Sequence, residues 1–369
     1  MANLVQKLAA GTPYLAKEVR IMVSDRTPFM IARPRSINIL PSKRCNAFCP
    51  MCPIGEANLK GEKPDPTELT AGQVSELFEG IKDLSGTGVV VSFADGEPTV
   101  WKPLWEMLER GRDLGFAISF TTNGYTMKEA QAARVAAINP FNVGVSLESL
   151  RGEINEIMRP LQGKGTQKTI DCIENLLAAR EQAGADMSLN IKTVLAGVNY
   201  AHVHEIVERF AARPGVMWTP QPYRGTDDRM WIRDTDHFRA VIEHLIDLRA
   251  RGHKINASDR NLRDFVTYFE AGMERVDNAP NRSGEETLDT PRCQIGFTSI
   301  FVTQDAQVRL CPYMEPVGRI GDGQTLRQMW TGKAAQERRE EIAACKVDCE
   351  LSCTRRTSIV NKVKLFLQR

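Results

Sequence analysis

The cysteines Cys45, Cys49 and Cys52 lie in the run Cys45-Asn-Ala-Phe-Cys49-Pro-Met-Cys52, a C-x3-C-x2-C spacing. The loop around them is rich in Pro, Ser, Lys and Asn and follows the apolar, strand-like stretch Ser36–Leu40. Three thiolates this close together can hold three corners of an iron–sulfur cluster and leave one iron without a protein ligand. An open iron can bind a substrate or cofactor directly, so the spacing points to an enzyme. Single-zinc sites pair their ligands as C-x2-C with a second pair further along. Three cysteines in one short run with no nearby His fit that pattern poorly.

A second cysteine group follows far downstream: Cys293, Cys311, Cys345, Cys349 and Cys353. With the first three these make eight of the nine cysteines in the chain. Clustered cysteines in a reducing compartment point to metal rather than disulfide. The ninth, Cys172, falls in a helical pattern and reads as a small buried hydrophobe. Two further stretches could do chemistry. Ala94-Asp95-Gly96-Glu97-Pro98 directly follows an apolar strand pattern, and an amine needs acceptors on a sharp turn of the kind glycine permits. Ser119-Phe-Thr121-Thr122-Asn123-Gly124 ends another strand pattern.

The elements that must position these residues alternate. Strand patterns occur at Ser36–Leu40, Val89–Phe93, Ala117–Thr121, Asn142–Leu147, Ser188–Val194 and Val216–Thr219. Helical patterns lie near 70–84, 101–114, 127–137, 166–184 and 200–212, with Thr70 as an N-cap. The short, nearly all-apolar strands suit burial on both faces. Repeated βα units imply parallel strands and right-handed crossovers. Six units are too few to close an eight-stranded barrel, so the fold class is α/β, a partial (β/α)6 TIM-type barrel over 36–224 with its site at the C-terminal strand ends. Trp218, Gln221, Tyr223 and Arg224 follow the sixth strand pattern and are candidates to face substrate on that ground.

Residues 1–35 read as helical pieces broken at Gly11-Thr12-Pro13, with Leu4 and Leu8 on one face and Leu15, Val19 and Met22 on another. The expected role is a lid across the bottom of the barrel, with membrane-surface contact as the alternative. Residues 225–292 form a helical bridge, about Asp236–Arg251 and Asp259–Gly272, and a polar linker at 275–291. A small C-terminal α+β domain over 293–353 carries a hairpin turning at Thr303-Gln304-Asp305-Ala306 and a helix from about Thr325 to Ala343. Residues 354–369 form a basic amphipathic tail.

The cysteine run, Gly96-Glu97-Pro98, Thr122-Asn123-Gly124 and the C-terminal cysteines agree in order and spacing with one family: the chain resembles the radical S-adenosylmethionine (SAM) superfamily over about residues 36–353. The resemblance implies a 4Fe–4S cluster on Cys45, Cys49 and Cys52, with SAM chelating the open iron and cleaved to a 5′-deoxyadenosyl radical that abstracts hydrogen from substrate. It assigns SAM contacts to Met51 near adenine, to Asp95, Gly96, Glu97 and Pro98 at the amino group, and to Thr121 and Asn123. Ser146-Leu-Glu148 and Arg159 resemble the segment that contacts the ribose and the SAM carboxylate, and Arg suits a carboxylate through its planar fork. Asp95 stands where the family has glycine, and Glu148 where it has Asp. The C-terminal cysteines resemble a SPASM/twitch extension. Five cysteines rather than seven imply one auxiliary 4Fe–4S cluster on Cys293, Cys311 and two of Cys345, Cys349 and Cys353; structural zinc is the alternative. Ala306 replaces the glycine usual five residues before the second cysteine of that extension.

Composition fixes the setting. The 369 residues are 42% hydrophobic and 25% charged, ordinary for a globular protein. The 48 basic and 46 acidic side chains give no net field that would select nucleic acid. No apolar run of about 18 residues is present, and the N-terminus lacks a signal-peptide core, which places the protein in the cytoplasm. The expected activity is hydrogen abstraction from an unactivated C–H bond, ending in oxidation or epimerisation, with a flavodoxin or ferredoxin as electron donor. Cys172, Tyr223 and Arg224 are the candidate catalytic side chains. A small molecule such as a sugar or aminoglycoside is the expected substrate, because only 35 residues precede the first strand; a peptide or a lipid is the alternative. A non-catalytic iron–sulfur electron carrier would leave Gly96-Glu97-Pro98, Asn123 and Arg159 unexplained.

Overall fold

The computed structural model describes residues 16, 18–25, 27, 30–225, 227–272 and 293–345. Its frame is one nine-stranded sheet in the order β6-β5-β4-β3-β2-β1-β7-β8-β9. The strands are β1 Ser36–Ile39, β2 Val90–Phe93, β3 Ala117–Thr122, β4 Asn142–Ser146, β5 Ser188–Leu195, β6 Val216–Pro222, β7 Ser299–Val302, β8 Gln307–Arg309 and β9 Gly318–Arg319. β1 to β6 pair in parallel, each with the next, as the alternating patterns require. The helices are α1 Pro53–Leu59, α2 Ala71–Ser85, α3 Leu104–Asp113, α4 Glu129–Ile138, α5 Gly152–Met158, α6 Gly165–Ala183, α7 Val203–Phe210, α8 Thr235–Ala250, α9 Asp259–Glu270, α10 Ile295–Thr298, α11 Leu326–Thr331 and α12 Lys333–Ala344. Among the described residues no helix is long and apolar enough to cross a membrane.

Strand side chains alternate between two environments. Ile37, Ile39, Val91, Phe93, Ile118, Phe120, Val143, Val145, Leu189 and Ile191 are fully buried in the main core, where the helices cover them. The intervening positions, including Asn38, Ser92, Thr121, Ser146, Asn190, Lys192 and Gln221, are half-buried and mostly polar. Period-two alternation therefore gives the sheet a hydrocarbon side and a polar concave side. α2 starts where Thr70 predicts, and there a full capping box forms: Thr70 Oγ1 accepts from Gln73 N while Gln73 Oε1 accepts from Thr70 N.

Several elements depart from the sequence expectation. β7 pairs in parallel with β1, Ser36 opposite Ser299 and Ile39 opposite Val302, so the segment after Cys293 extends the barrel sheet as a seventh parallel strand. The β7–β8 hairpin turns over Thr303–Ala306 as expected, with Ala306 at φ 65. That left-handed value explains why glycine suits this place. The single helix expected from Thr325 to Ala343 is two, α11 and α12, because Gly332 is extended at ψ 173. The helix expected at 200–212 begins as a 3-10 turn at Tyr200–His202 before α7.

The N-terminal helical residues 18–25 bury Ile21 against Ala32 and Phe297, at the N-terminal ends of β1 and β7. Val19, expected on the apolar face, is 43% exposed; Ile21 and Ser24 are the inward positions, and Ser24 Oγ accepts from Ile31 N and Ala32 N. α12 is docked by Arg339, whose buried guanidinium donates to Gly296 O (2.9 Å) and Trp330 O (2.8 Å) and lies over the Trp330 ring. Burial lowers its pKa to about 10. The expected linker at 275–291, the tail 354–369, Leu4, Leu8, Leu15, Cys349 and Cys353 lie outside the described residues.

Candidate active site

Parallel strands deliver their C-terminal ends to one face, and the candidate residues meet there. The Cys45–Cys52 loop leaves β1 and runs into α1, for which Cys52 is the N-cap and Pro53 the first residue. Asn58 on α1 reaches back, donating through Nδ2 to Cys45 O (3.2 Å) and Ala47 O (2.9 Å). Gly55 lets the loop lie on the helix: a Cβ there would stand 2.4 Å from both N and O of Cys49. The three cysteines gather with Ala47, Met51, Tyr125 and Leu161 in one apolar patch. Burial raises the Cys45 thiol to about 12 and raises Cys49 as well, the latter against the pull of Arg159. Thiols this poorly solvated favour a bound cation over a free thiolate.

The turn after β2 is built against the same loop. Asp95 (φ 69) and Gly96 (φ 54) are consecutive left-handed residues. A Cβ on Gly96 would meet Arg44 O at 2.5 Å and Ser42 O at 2.7 Å, so glycine is required there. Asp tolerates the left-handed region, which accounts for its standing in place of a glycine. Glu97 N donates to Arg44 O (2.9 Å), tying the turn to the residue before Cys45.

Glu97 is 2% exposed. Its Oε1 accepts from Thr99 N (3.1 Å), Thr99 Oγ1 (2.7 Å) and Thr122 Oγ1 (2.7 Å), while Oε2 accepts from Asn123 N (2.7 Å). Burial pushes its carboxyl up, opposed by those donors. Oε2 has a single donor, and a carboxylate oxygen accommodates a second, such as an ammonium N–H. Asn123 completes the link: its Nδ2 donates to Asn46 Oδ1 (2.7 Å) and its Oδ1 accepts from Tyr125 N (2.9 Å). Strands β1, β2 and β3 are thus joined at one point by side chains of the sequence motifs.

Glu148 and Arg159 form a buried ion pair. Arg159 Nε donates to Glu148 Oε1 (2.9 Å), and Glu148 Oε2 accepts from Val194 N (2.6 Å). Burial raises the Glu148 carboxyl against the pull of Arg159; burial opposes the Arg159 charge, yet Cys49 and Glu148 hold its pKa up. Arg159, expected to meet a carboxylate of SAM, already holds one of the protein's own. A different cation lies further into the concave side. Lys192 on β5 donates to Thr121 Oγ1 (2.9 Å) and lies opposite Ser146 in the ladder. Its stem crosses Gly144, where a Cβ would stand 3.1 Å from Lys192 Cε. Period-two alternation in Ser188–Leu195 places Lys192 on the polar side, which is the signal by which sequence could have found it.

Other candidates sit elsewhere. Cys172 is 0% exposed and packs against Gly124, whose added Cβ would be 2.9 Å from Cys172 Cβ; it is core, and burial raises its thiol. Trp218 is also fully buried, its Nε1 donating to Thr193 Oγ1 (2.8 Å), so it faces the helices rather than substrate. Tyr223 is buried, with its hydroxyl accepting from Asp227 N (3.1 Å). Arg224, just past β6 at one end of the sheet, donates to the Tyr313 hydroxyl (2.9 Å) beyond β8 near the other end. The sheet therefore curls until its two ends meet across the mouth.

In the C-terminal segment Cys293, Cys311 and Cys345 are half-buried. Arg339 bonds to Gly296 and Ile342 packs over it, which brings the segments bearing Cys293 and Cys345 together. Among the described residues no three His, Cys, Asp or Glu side chains converge tightly enough to hold a single metal ion. A cubane holds its cysteines further apart than one ion does, and the three-thiol patch with buried walls fits that larger group.

Comparison with known proteins agrees with this geometry. Residues 39–210 match the Radical SAM superfamily. The chain is 26% identical over 187 residues to the mycofactocin maturase MftC of Mycobacterium tuberculosis (strain CDC 1551 / Oshkosh), covering 50% of this chain and 44% of the relative. It is 32% identical over 256 residues to the pre-heme d1 synthase of Dinoroseobacter shibae, covering 66% of this chain and 60% of that one. It thus spans less than half the length of the maturase. In fold it is similar to Streptococcus suis SuiB bound to S-adenosylmethionine, with TM-score 0.60, 16% identity and coverage of 84% and 68% of the two chains. The parallel α/β sheet and the cysteine loop at its C-terminal face agree with the match of residues 39–210 to the Radical SAM superfamily.

Proposed function

We propose that the protein is a radical SAM enzyme that removes a hydrogen atom from a C–H bond of a peptide substrate. The observation that carries the chemistry is the junction of the Cys45–Cys52 loop, Glu97 and Asn123 at one end of the barrel through the Asn123–Asn46 and Glu97–Arg44 bonds. When bound, a 4Fe–4S cluster on Cys45, Cys49 and Cys52 and its SAM would supply an electron and a carbon-centred radical. The chain's own residues set the rest. Glu97 Oε2 offers an acceptor to the SAM amine, Met51 and Tyr125 wall the site with apolar surface, and Lys192 with Ser146 offers a cation and a hydroxyl to a carboxylate. The apolar patch keeps water out of the site.

A peptide substrate replaces the sugar-like small molecule that the short N-terminal region suggested. Two relatives in fold support it: SuiB bound to the precursor peptide SuiA, with TM-score 0.59, and anSMEcpe with bound AdoMet and a Kp18Cys peptide, with TM-score 0.61. A polar chain on the concave side also suits peptide groups, since Thr219 Oγ1 donates to Asn190 Oδ1 and accepts from Asn256 Nδ2. A small-molecule substrate is the second reading, favoured by the match to the pre-heme d1 synthase over 66% of the chain. Cys293, Cys311 and Cys345 would contribute to an auxiliary cluster that takes or relays the substrate electron, giving oxidation or epimerisation. A flavodoxin or ferredoxin in the cytoplasm would reduce the SAM-binding cluster.

The test is anaerobic reconstitution with iron, sulfide, SAM and a reductant, followed by deuterated candidate peptides. Formation of 5′-deoxyadenosine is expected, with deuterium in it when the right peptide is present. Reconstituted protein that binds iron but never cleaves SAM would overturn the proposal.

A further inference from the structure

At the opposite end of the sheet from the cysteine loop lies a cavity of about 300 Å³, within the size range of small-ligand sites. It is lined by Arg20 from the N-terminal helical residues, Arg33 and Arg35 from the lead-in to β1, and Ser85 and Thr87 from the α2–β2 turn, with Pro34 on its apolar wall. No acidic residue is part of that lining. Glu18 pairs with Arg35 at 2.7 Å. Asp83, which feels the charge of Arg33, is already hydrogen-bonded by Arg327 at 2.9 Å. Arg20 and Arg33 make no hydrogen bond or ion pair of their own among the described residues. Among the described residues, four guanidiniums (Arg20, Arg33, Arg35, Arg327) and two carboxylates (Glu18, Asp83) thus lie in and beside the cavity, an excess of two positive charges.

We propose that this cavity binds a phosphate monoester. Like charges held together by three separate chain segments repel unless an anion joins them, and a monoester near neutral pH carries close to two negative charges. Its three terminal oxygens accept from guanidinium forks, which match phosphate geometry, and the Thr87 hydroxyl adds a donor, while the Ser85 hydroxyl donates to Pro34 O (3.4 Å). A carboxylate would neutralise only one of the two charges. The remaining volume and the Pro34 wall leave room for the esterified carbon group. The site is separate from the chemistry: Arg35 precedes the first residue of β1, and the cysteine loop follows its last. Occupancy would cross-link the N-terminal helical residues to the base of the barrel, and the ester is either a soluble metabolite or a lipid headgroup.

The experiment uses the whole chain and an Arg20→Gln/Arg33→Gln variant, both exposed positions whose loss should keep the fold and leave the unliganded melting temperature equal or higher, since repulsion is relieved. Glycerol 3-phosphate titrated into the wild type should raise its melting temperature, with an apparent affinity at least roughly tenfold weaker in the variant. Separately, both proteins are sedimented with phosphatidylcholine vesicles containing phosphatidic acid or, at matched surface charge, phosphatidylserine. A response to glycerol 3-phosphate assigns a soluble ester. Preference for phosphatidic acid vesicles that disappears in the variant, without a soluble response, assigns a lipid headgroup. Equal responses of wild type and variant, or equal binding to the two anionic vesicles with no soluble response, would overturn the proposal.

Discussion

Replacing Gly55 by alanine should separate folding from cluster binding. The new Cβ would stand 2.4 Å from Cys49 N and O, about 1.0 Å inside the 3.4 Å of ordinary van der Waals contact, and both atoms are backbone. Neither can rotate away, so the cysteine loop must lift from α1 as a unit. Overpacking of this kind costs about 1–3 kcal/mol, while alanine in place of glycine inside a helix returns about 0.8–1 kcal/mol. The net loss of stability is therefore small, about 0–2 kcal/mol. A loop lifted by about 1 Å also weakens its two bonds from Asn58 and moves the Cys49 thiol out of register with its neighbours. The assay is iron and sulfide content after anaerobic reconstitution, read beside the melting temperature. The expected outcome is loss of the SAM-site cluster, about half of the bound iron if the auxiliary cluster fills. The control is Gly152→Ala at the start of α5, where the backbone is not left-handed, no atom lies within 4 Å of the added Cβ and iron content should hold. A Gly55→Ala protein with full iron would refute the tight seating of loop on helix, and one that fails to fold would refute the small net cost.

Removing one partner of the Glu148–Arg159 pair, as in Arg159→Met, should cost about 3–5 kcal/mol because it strands a carboxylate that is 1% exposed. The Glu148→Leu/Arg159→Met double variant should lose much less than the two singles together, and additive losses in denaturant unfolding would rule the pairing out. Lys192→Met should leave the melting temperature within a few degrees yet weaken SAM binding roughly tenfold in equilibrium dialysis. Unchanged affinity would remove Lys192 from the site. Ala306→Gly, at φ 65, should change stability by less than about 1 kcal/mol in the same unfolding assay, because relief of the left-handed strain offsets loss of a fully buried methyl, and a loss of about 2 kcal/mol or more would contradict the strained turn.

The alternation of β1 to β6 and their helices was legible because each strand is short, carries apolar residues at alternate positions and is bounded by turn residues. The cysteine loop, the Glu97 turn and Asn123 were legible because each follows a strand end directly. What escaped was decided by contacts between distant segments. β7 looks like any hairpin strand, and nothing in Ser299–Val302 announces β1 as its partner across more than 250 residues. The Glu148 partner of Arg159 lies eleven residues away and is brought to it by α5, a helix too short to leave a periodic signature, so the ion pair was not legible. Trp218 was expected to face substrate because strand ends bear active sites; the pleat of β6 puts it on the same buried face as Val216, where Thr193 accepts from its indole. Gly332 broke a helix that amphipathic spacing ran straight through.

The place of β1 between β2 and β7 has a consequence for biogenesis. The strand that leads into the cysteine loop is flanked on one side by a segment synthesised soon after it and on the other by one synthesised more than 250 residues later. Until residues 299–302 emerge, one rim of β1 displays unpaired N–H and C=O groups, a template for pairing with another chain. The base of the Cys45–Cys52 loop is braced on both sides only once that later strand has been made. Chains shortened before residue 299 should accordingly be recovered as aggregates rather than as small, iron-bearing barrels.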